Sequence, residues 1–326
     1  MRESLVNEQP ASSVLQLRGL SVDIYRLTTS LAALGRYEEA LQLSRPLLPM
    51  LEKHLAGRTD AESQELLAKM YYTSGRALVD SGKLSEALVD YRNSAAIRER
   101  ILKDQTPPDA SVSRRLAGTY GAIAFVFWYQ GELAEAVAEI HRAMLLNDGL
   151  LARYPQSVAL REDRAEGFYS LARFLAAQGK ADEALQAYRE ALSMFHNLTS
   201  DNPKDVLAMR LFGFCYQGIG QLLADNGQPR QGLDNLRKAL AIFRSLPTDD
   251  SKNVFMLTAF ADTNEGFGTG YEALRRLGEA STYYKRSLAI WEDMQRQIGA
   301  LHPEDRGKPD RLRRAIERCE HSVGRH

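Results

Sequence analysis

Apolar residues along this chain recur at three- and four-residue intervals, in stretches long enough for helices of about five turns. Between Val158 and Gln178, the residues Phe168, Leu171, Ala172 and Leu175 fall on one helical face. From Asp182 to Leu198, Ala184, Leu185, Tyr188, Ala191 and Leu192 do the same. Gly179 separates the two stretches. A glycine just past a helix can enter the left-handed region without steric penalty and so ends the first helix. Pro155, Pro203 and the pair Pro107 and Pro108 stand where a second helix must stop, because proline cannot continue one. β-Branched runs with a period of two are absent, so the pattern predicts an all-α chain of helix pairs.

Laid on itself, the chain repeats. GRYEEAL at Gly35, GKLSEAL at Gly82, GELAEAV at Gly131 and GKADEAL at Gly179 are one motif, with weaker copies GQPRQGL at Gly227 and RRLGEAS at Arg275. Positions 35, 82, 131, 179, 227 and 275 are spaced by 47, 49, 48, 48 and 48 residues. Eleven before each motif position stand Ile24, Tyr71, Tyr120, Phe168, Tyr216 and Asn264; seven before stand Thr28, Gly75, Ala124, Ala172, Gly220 and Gly268. Five after come Ala40, Ala87, Ala136, Ala184, Gly232 and Ala280. Tyr91, Tyr188 and Tyr284 recur nine after, and Ala143, Ala191 and Ala239 twelve after. Small residues let antiparallel helices approach, and large ones fill the adjoining space.

This order of large, small, small, aromatic and small positions resembles the tetratricopeptide repeat. The usual unit of about 34 residues is lengthened here by about 14. The resemblance implies an α-α superhelix of six helix pairs, with repeats at 14–58, 59–106, 107–155, 156–203, 204–251 and 252–301 forming one solenoid. Residues 1–13 read as a flexible N-terminus, and 302–326 as a linker and C-terminal capping helix near Lys308 to His321. Pro46 and Pro49 should cut the second helix of repeat 1 near Ser44. YRNSAAIRERIL, LRKALAIF and YKRSLAIWEDM resemble the long tetratricopeptide arrays that follow the catalytic domain of certain bacterial serine/threonine kinases. The kinase signatures themselves are missing, so no kinase activity carries over.

Composition narrows the function. Lys plus Arg and Asp plus Glu each total 42, a balance that argues against nucleic acid or an anionic membrane as the main partner. The segment Met1 to Pro10 lacks the apolar run of a secretory signal. The longest uncharged stretch, Leu116 to Gly131, is shorter than the roughly 20 residues a membrane helix needs, and a cytoplasmic location is expected. Six scattered histidines and two cysteines, Cys215 and Cys319, offer no metal-ligand spacing, so no catalysis and no cofactor are expected. Gly218-Ile-Gly220 and Gly266-Phe-Gly268-Thr-Gly270 mimic a phosphate loop but fall within predicted first helices, where glycine serves close packing.

In tetratricopeptide proteins the first helices line a concave groove, which the resemblance carries to residues ten, six, three and two before each motif position. These are Tyr72, Arg76, Val79 and Asp80; Gly121, Phe125, Trp128 and Tyr129; Tyr169, Arg173, Ala176 and Ala177; and Gln217, Gln221, Ala224 and Asp225. Arginine, tryptophan and tyrosine are the residues that dominate binding hot spots. The expected function is therefore a non-catalytic scaffold holding a peptide or helix of another protein, with acidic residues flanking large apolar ones. The alternative is a regulatory or sensor module of a bacterial signalling pathway. The carboxylate clamp of the family is not supported, because Tyr25, Thr29, Thr73, Gly118 and Ala122 stand where Lys and Asn are needed. The basic run Arg306, Lys308, Arg311, Arg313, Arg314 and Arg318 could meet an anionic partner or form a solvated cap face.

Overall fold

The repeated glycine sets the geometry of every hairpin. In the structure, a computed structural model that describes residues 10–323 except 35, 56, 104, 248–253, 299–300 and 303–304, Gly82, Gly131, Gly179 and Gly227 have φ of 79, 81, 76 and 78°. Arg275, the sixth motif position, takes the same left-handed turn at φ 61° without being glycine. The next residue's amide then donates to the carbonyl five positions upstream: Lys83 to Leu78, Glu132 to Phe127, Lys180 to Leu175, Gln228 to Leu223 and Arg276 to Tyr271, all at 2.8–3.0 Å. This bond closes a Schellman motif and satisfies a carbonyl that the helix end would leave open.

Fourteen helices and no strand are found among the described residues. They are α1 (Pro10–Ala33), α2 (Tyr37–Ser44), α3 (Leu47–Leu55), α4 (Ala61–Asp80), α5 (Leu84–Leu102), α6 (Ala110–Gln130) and α7 (Leu133–Arg153). Then follow α8 (Val158–Ala177), α9 (Ala181–Asp201), α10 (Val206–Asp225), α11 (Pro229–Ser245), α12 (Val254–Ala273), α13 (Leu277–Ile298) and α14 (Lys308–Val323). The break expected near Ser44 is the junction of α2 and α3, and the expected capping helix is α14. Residues 10–13 belong to α1, whereas 1–9 lie outside the described residues, as does Gly35.

Starts are as periodic as stops. Asp60, Asp109, Ser157 and Asp205 cap α4, α6, α8 and α10, each side chain accepting from the amide three residues on, at 2.9, 2.8, 3.4 and 2.9 Å. These N-caps share the motif's period.

Packing divides the chain into two compact units, Met1–Leu146 and Asn147–His326. In the first, α4 packs on α5 and α5 on α6, with Ile24, Leu51, Leu55, Leu66 and Met70 forming one core cluster. In the second, α8 to α13 pack consecutively and α14 lies against α13. The small positions behave as the sequence implies. Every residue five after a motif position is buried, and a Cβ added at Gly75 would come within 2.9 Å of the Tyr91 ring nine after the motif glycine. The apparent phosphate loops are packing devices of the same kind. Gly220 faces Leu236 and the Gly232 carbonyl, Gly268 faces Tyr284, Gly218 faces Tyr188, and Gly266 and Gly270 face Leu236 and Leu233. Helix α10 is long and apolar enough to span a membrane by length and composition, and here it packs against α9, α11 and α12.

Candidate functional site

The first unit holds eight of the expected groove residues, on α4 and α6. Tyr72 and Arg76 lie one helical turn apart on α4, both partly exposed. The Tyr72 ring packs 5.4 Å from that of Tyr91, which is buried on α5. Burial opposes the charge of Arg76, but Tyr72, Asp80, Tyr91 and Tyr25 around it more than compensate, and its pKa rises above the ordinary arginine value. On α6, Phe125, Trp128 and Tyr129 form a cluster with centroids 6.1, 6.2 and 5.1 Å apart, the first pair edge to face. None of the three is core, because each keeps part of its surface in solvent. A triangle of rings in mutual contact offers an apolar, stiff surface whose immobilisation costs little on binding. Val79, expected on this face, is instead buried; the last turn of α4 curls into the Schellman bond, and the Val79 carbonyl accepts from Gly82 at 2.8 Å.

In the second unit, α8 and α10 carry the other eight. Arg173 stands 5.7 Å from the Tyr169 ring one turn away, and that ring stacks on Phe214 of α10 at 6.3 Å. Gln217 donates to the Ala259 carbonyl of α12 at 3.4 Å, and Gln221 donates to both carboxylate oxygens of Asp225 at 3.1 Å. These glutamines are thus engaged within the unit, and Ala224 is core rather than surface. Arg76 and the aromatic cluster therefore belong to one unit, and Tyr169, Arg173, Gln217 and Gln221 to the other.

The same spacing continued into repeat 6 leads to Glu265 and Glu272. Both are covered by α14. Arg311 pairs with Glu265 at 2.7 Å, Arg318 reaches Glu272 at 3.5 Å, and Lys308 sits 2.6 Å from Asp262 and 2.7 Å from Asp305. Arg313 binds Glu292 and Asp310, both at 2.7 Å, and Arg306 donates to the Leu301 carbonyl at 3.3 Å. The basic run is a solvated cap face, with Lys308 alone half-buried, and its charges are largely paired rather than open to a further anion. Five of its six cations bond inside the unit, while Leu312, Ala315, Ile316 and Cys319 join the core of α12 and α13. Burial raises the carboxyls of Asp262 and Glu265 despite these cations, and Lys308 is held strongly protonated between Asp262 and Asp305 against the cost of its burial.

Cys215 and Cys319 are 0% and 1% exposed, and burial raises both thiols, so neither has the electropositive, accessible setting of a reactive cysteine. The hydroxyl of Thr73, at a clamp position, is bonded to the Lys69 carbonyl at 2.9 Å.

Comparison with known proteins agrees with this architecture. The tetratricopeptide repeat family matches residues 67–108 and 168–200, the heart of repeats 2 and 4. No curated protein sequence matches the chain. Among solved structures, BtubC from P. vanneervenii is similar with a TM-score of 0.57 at 17% identity, over 79% of this chain and 92% of that one. The apo form of RapI has a TM-score of 0.57 at 14% identity, over 94% of this chain and 72% of its own. A Rap protein complexed with Competence and Sporulation Factor has a TM-score of 0.52 at 18% identity, over 93% and 77%. At these identities the likeness concerns the fold. Residues 67–108 and 168–200 thus match the tetratricopeptide repeat, and the other hairpins with described motif positions share the same turn geometry at a period of about 48 residues, a tetratricopeptide-like all-α fold.

Proposed function

We propose that the protein is a non-catalytic scaffold that holds a peptide or short helix of another protein against the first helices of its repeats. One observation carries this reading: Phe125, Trp128 and Tyr129 pack on one another yet remain partly in solvent, in the same unit as Arg76 and Tyr72. Core packing would have buried such rings, and they are the side chains on which interfaces concentrate their energy. The ligand that fits is a segment with one or two large apolar residues flanked by acidic ones, the apolar group for the rings and a carboxylate for Arg76. A second reading, a receptor for a signalling peptide, is favoured by the similarity to a Rap protein complexed with Competence and Sporulation Factor. Selection from a random peptide display library, followed by hydrogen exchange of the complex, tests the proposal. Enriched peptides should be acidic and apolar and should protect α4 and α6. Enrichment of basic sequences, or protection confined to the second helices of the hairpins, would refute it.

A further inference from the structure

The repeats provide an internal control that exposes an irregular place in repeat 4. Fifteen residues before the motif position the copies carry Leu20, Leu67, Leu116, Phe212 and Phe260, but repeat 4 carries Arg164. Eighteen before, Met209 and Leu257 in the following repeats correspond to Arg161. A guanidinium cannot take an apolar side chain's place between helices without a partner. Arg164 instead lies along the Phe168 ring, 5.6 Å from its centroid, and reaches Asp148 at 2.8 Å. Beside it lies a cavity of about 310 Å³, lined by Leu151, Pro155, Arg161, Arg164, Met194, Asn197 and Leu198.

The lining is amphipathic. Leu151, Pro155, Met194 and Leu198 make an apolar wall, and the two arginine side chains, 38% and 40% exposed, lead from it to solvent. Their Nε atoms are buried: that of Arg161 has no hydrogen-bond partner, and that of Arg164 has Asp148 within reach but not at a bonding angle. The neighbouring carboxylates are solvent-facing, Asp201 3.4 Å from Arg161 at 63% exposure and Asp148 at 48%. Water screens such partners, so donor capacity remains at the cavity's mouth for one further anion, whereas a dianion would meet two carboxylates already there. At about 30 Å³ per water-sized group, the volume accommodates about ten non-hydrogen atoms.

From this geometry we propose that the cavity binds a small free monocarboxylate with an unbranched apolar tail, its head on Arg161 and Arg164 and its tail against Leu151, Met194 and Leu198. Octanoate, with ten non-hydrogen atoms, is the probe. The full chain, labelled with ¹³C at its methionine methyls, is titrated with sodium octanoate below micelle formation, with octylammonium chloride and sodium acetate in parallel. Octanoate should shift the Met194 resonance saturably and raise Tm; octylammonium, with the same tail and the opposite charge, and acetate, with no tail, should do neither. Arg164→Leu, which restores the residue type of the other repeats, should fold and, by removing one of the two guanidiniums, weaken binding at least tenfold. Arg161→Gln, which keeps the packing stem, should weaken it similarly should the first variant fail to fold. No saturable Met194 shift in the parent, equal response to octylammonium, or undiminished binding in a folded variant would each overturn the proposal.

Discussion

The left-handed residue that ends each first helix offers a perturbation whose cost can be worked out before it is measured. Gly179 has φ 76°, and a Cβ placed on it would meet nothing within 4 Å. Gly179→Ala therefore changes no packing, and its whole effect is conformational. Holding an L-residue in the left-handed region costs about 1–2 kcal/mol. Alanine also restricts the unfolded chain, returning about 0.4–1 kcal/mol. The net loss is about 1 kcal/mol. Gly131→Ala and Gly227→Ala have the same open surroundings and similar φ, so they should cost the same. Arg275 provides the reverse experiment. It is exposed and stands at φ 61°, so Arg275→Gly should stabilise by about 0.5–1 kcal/mol by the same two contributions with opposite sign. Unfolding in a repeat array is graded, so amide exchange resolved by hairpin is the assay, with urea melts alongside. Protection should fall in the two helices flanking each altered glycine and rise in α12 and α13 for Arg275→Gly. Alanine variants as stable as the parent, or a destabilised Arg275→Gly, would refute the conformational argument.

Three further outcomes follow from packing and titration. Ala184 is 0% exposed where α8 and α9 meet, so Ala184→Leu should overpack the crossing and cost roughly 1–3 kcal/mol in urea unfolding; a neutral result would mean the repeat alignment is wrong. Arg98, 2% exposed, binds Glu65 at 3.0 Å and Thr119 at 2.6 Å where the equivalent residues are Leu51, Asn147, Phe195, Phe243 and Trp291. Arg98→Met should cost about 3 kcal/mol because Glu65 keeps only Arg115, and adding Glu65→Gln should recover most of it; an additive double variant would contradict this. Burial raises the thiols of Cys215 and Cys319 above 9.0 and the phenols of Tyr71, Tyr120, Tyr188 and Tyr284 above 10.0. The folded chain thus keeps protons that the unfolded chain has lost. These groups should make stability decline above about pH 9, and a rise above that pH in urea melts would reverse the assigned sign.

Much of this architecture was legible because it is local. A glycine and a proline act within one turn, so the hairpin boundaries, the break between α2 and α3 and the helical form of α14 could be read from spacing alone. The pairing of Gly75, Gly220 and Gly268 with the residues nine after the motif followed from the repeat. Charge was not legible. Lys308 and Arg311 find Asp262 and Glu265 across 46 residues, and nothing in a basic run says that its partners lie on a helix already in the chain. Position-by-position projection also failed near helix ends, where Val79 turns inward with the closing turn. The cavity beside Arg164 was hidden for a different reason. Arg164 stands out only when repeat 4 is compared with its neighbours, as the absence of an apolar side chain rather than the presence of a motif.

We propose that the partly exposed rings and Arg76 of the first unit form a binding face. Its most direct test is the affinity of a display-selected peptide for Trp128→Ala and Arg76→Glu, measured by fluorescence anisotropy at two salt concentrations on variants whose melting curves match the parent. Trp128→Ala should weaken binding by about 2 kcal/mol or more, roughly thirtyfold, with the salt dependence unchanged. Arg76→Glu should weaken it and reduce its salt dependence, because attraction between exposed charges is screened over about 8 Å at physiological salt. Parent-like affinity in both folded variants would contradict the account.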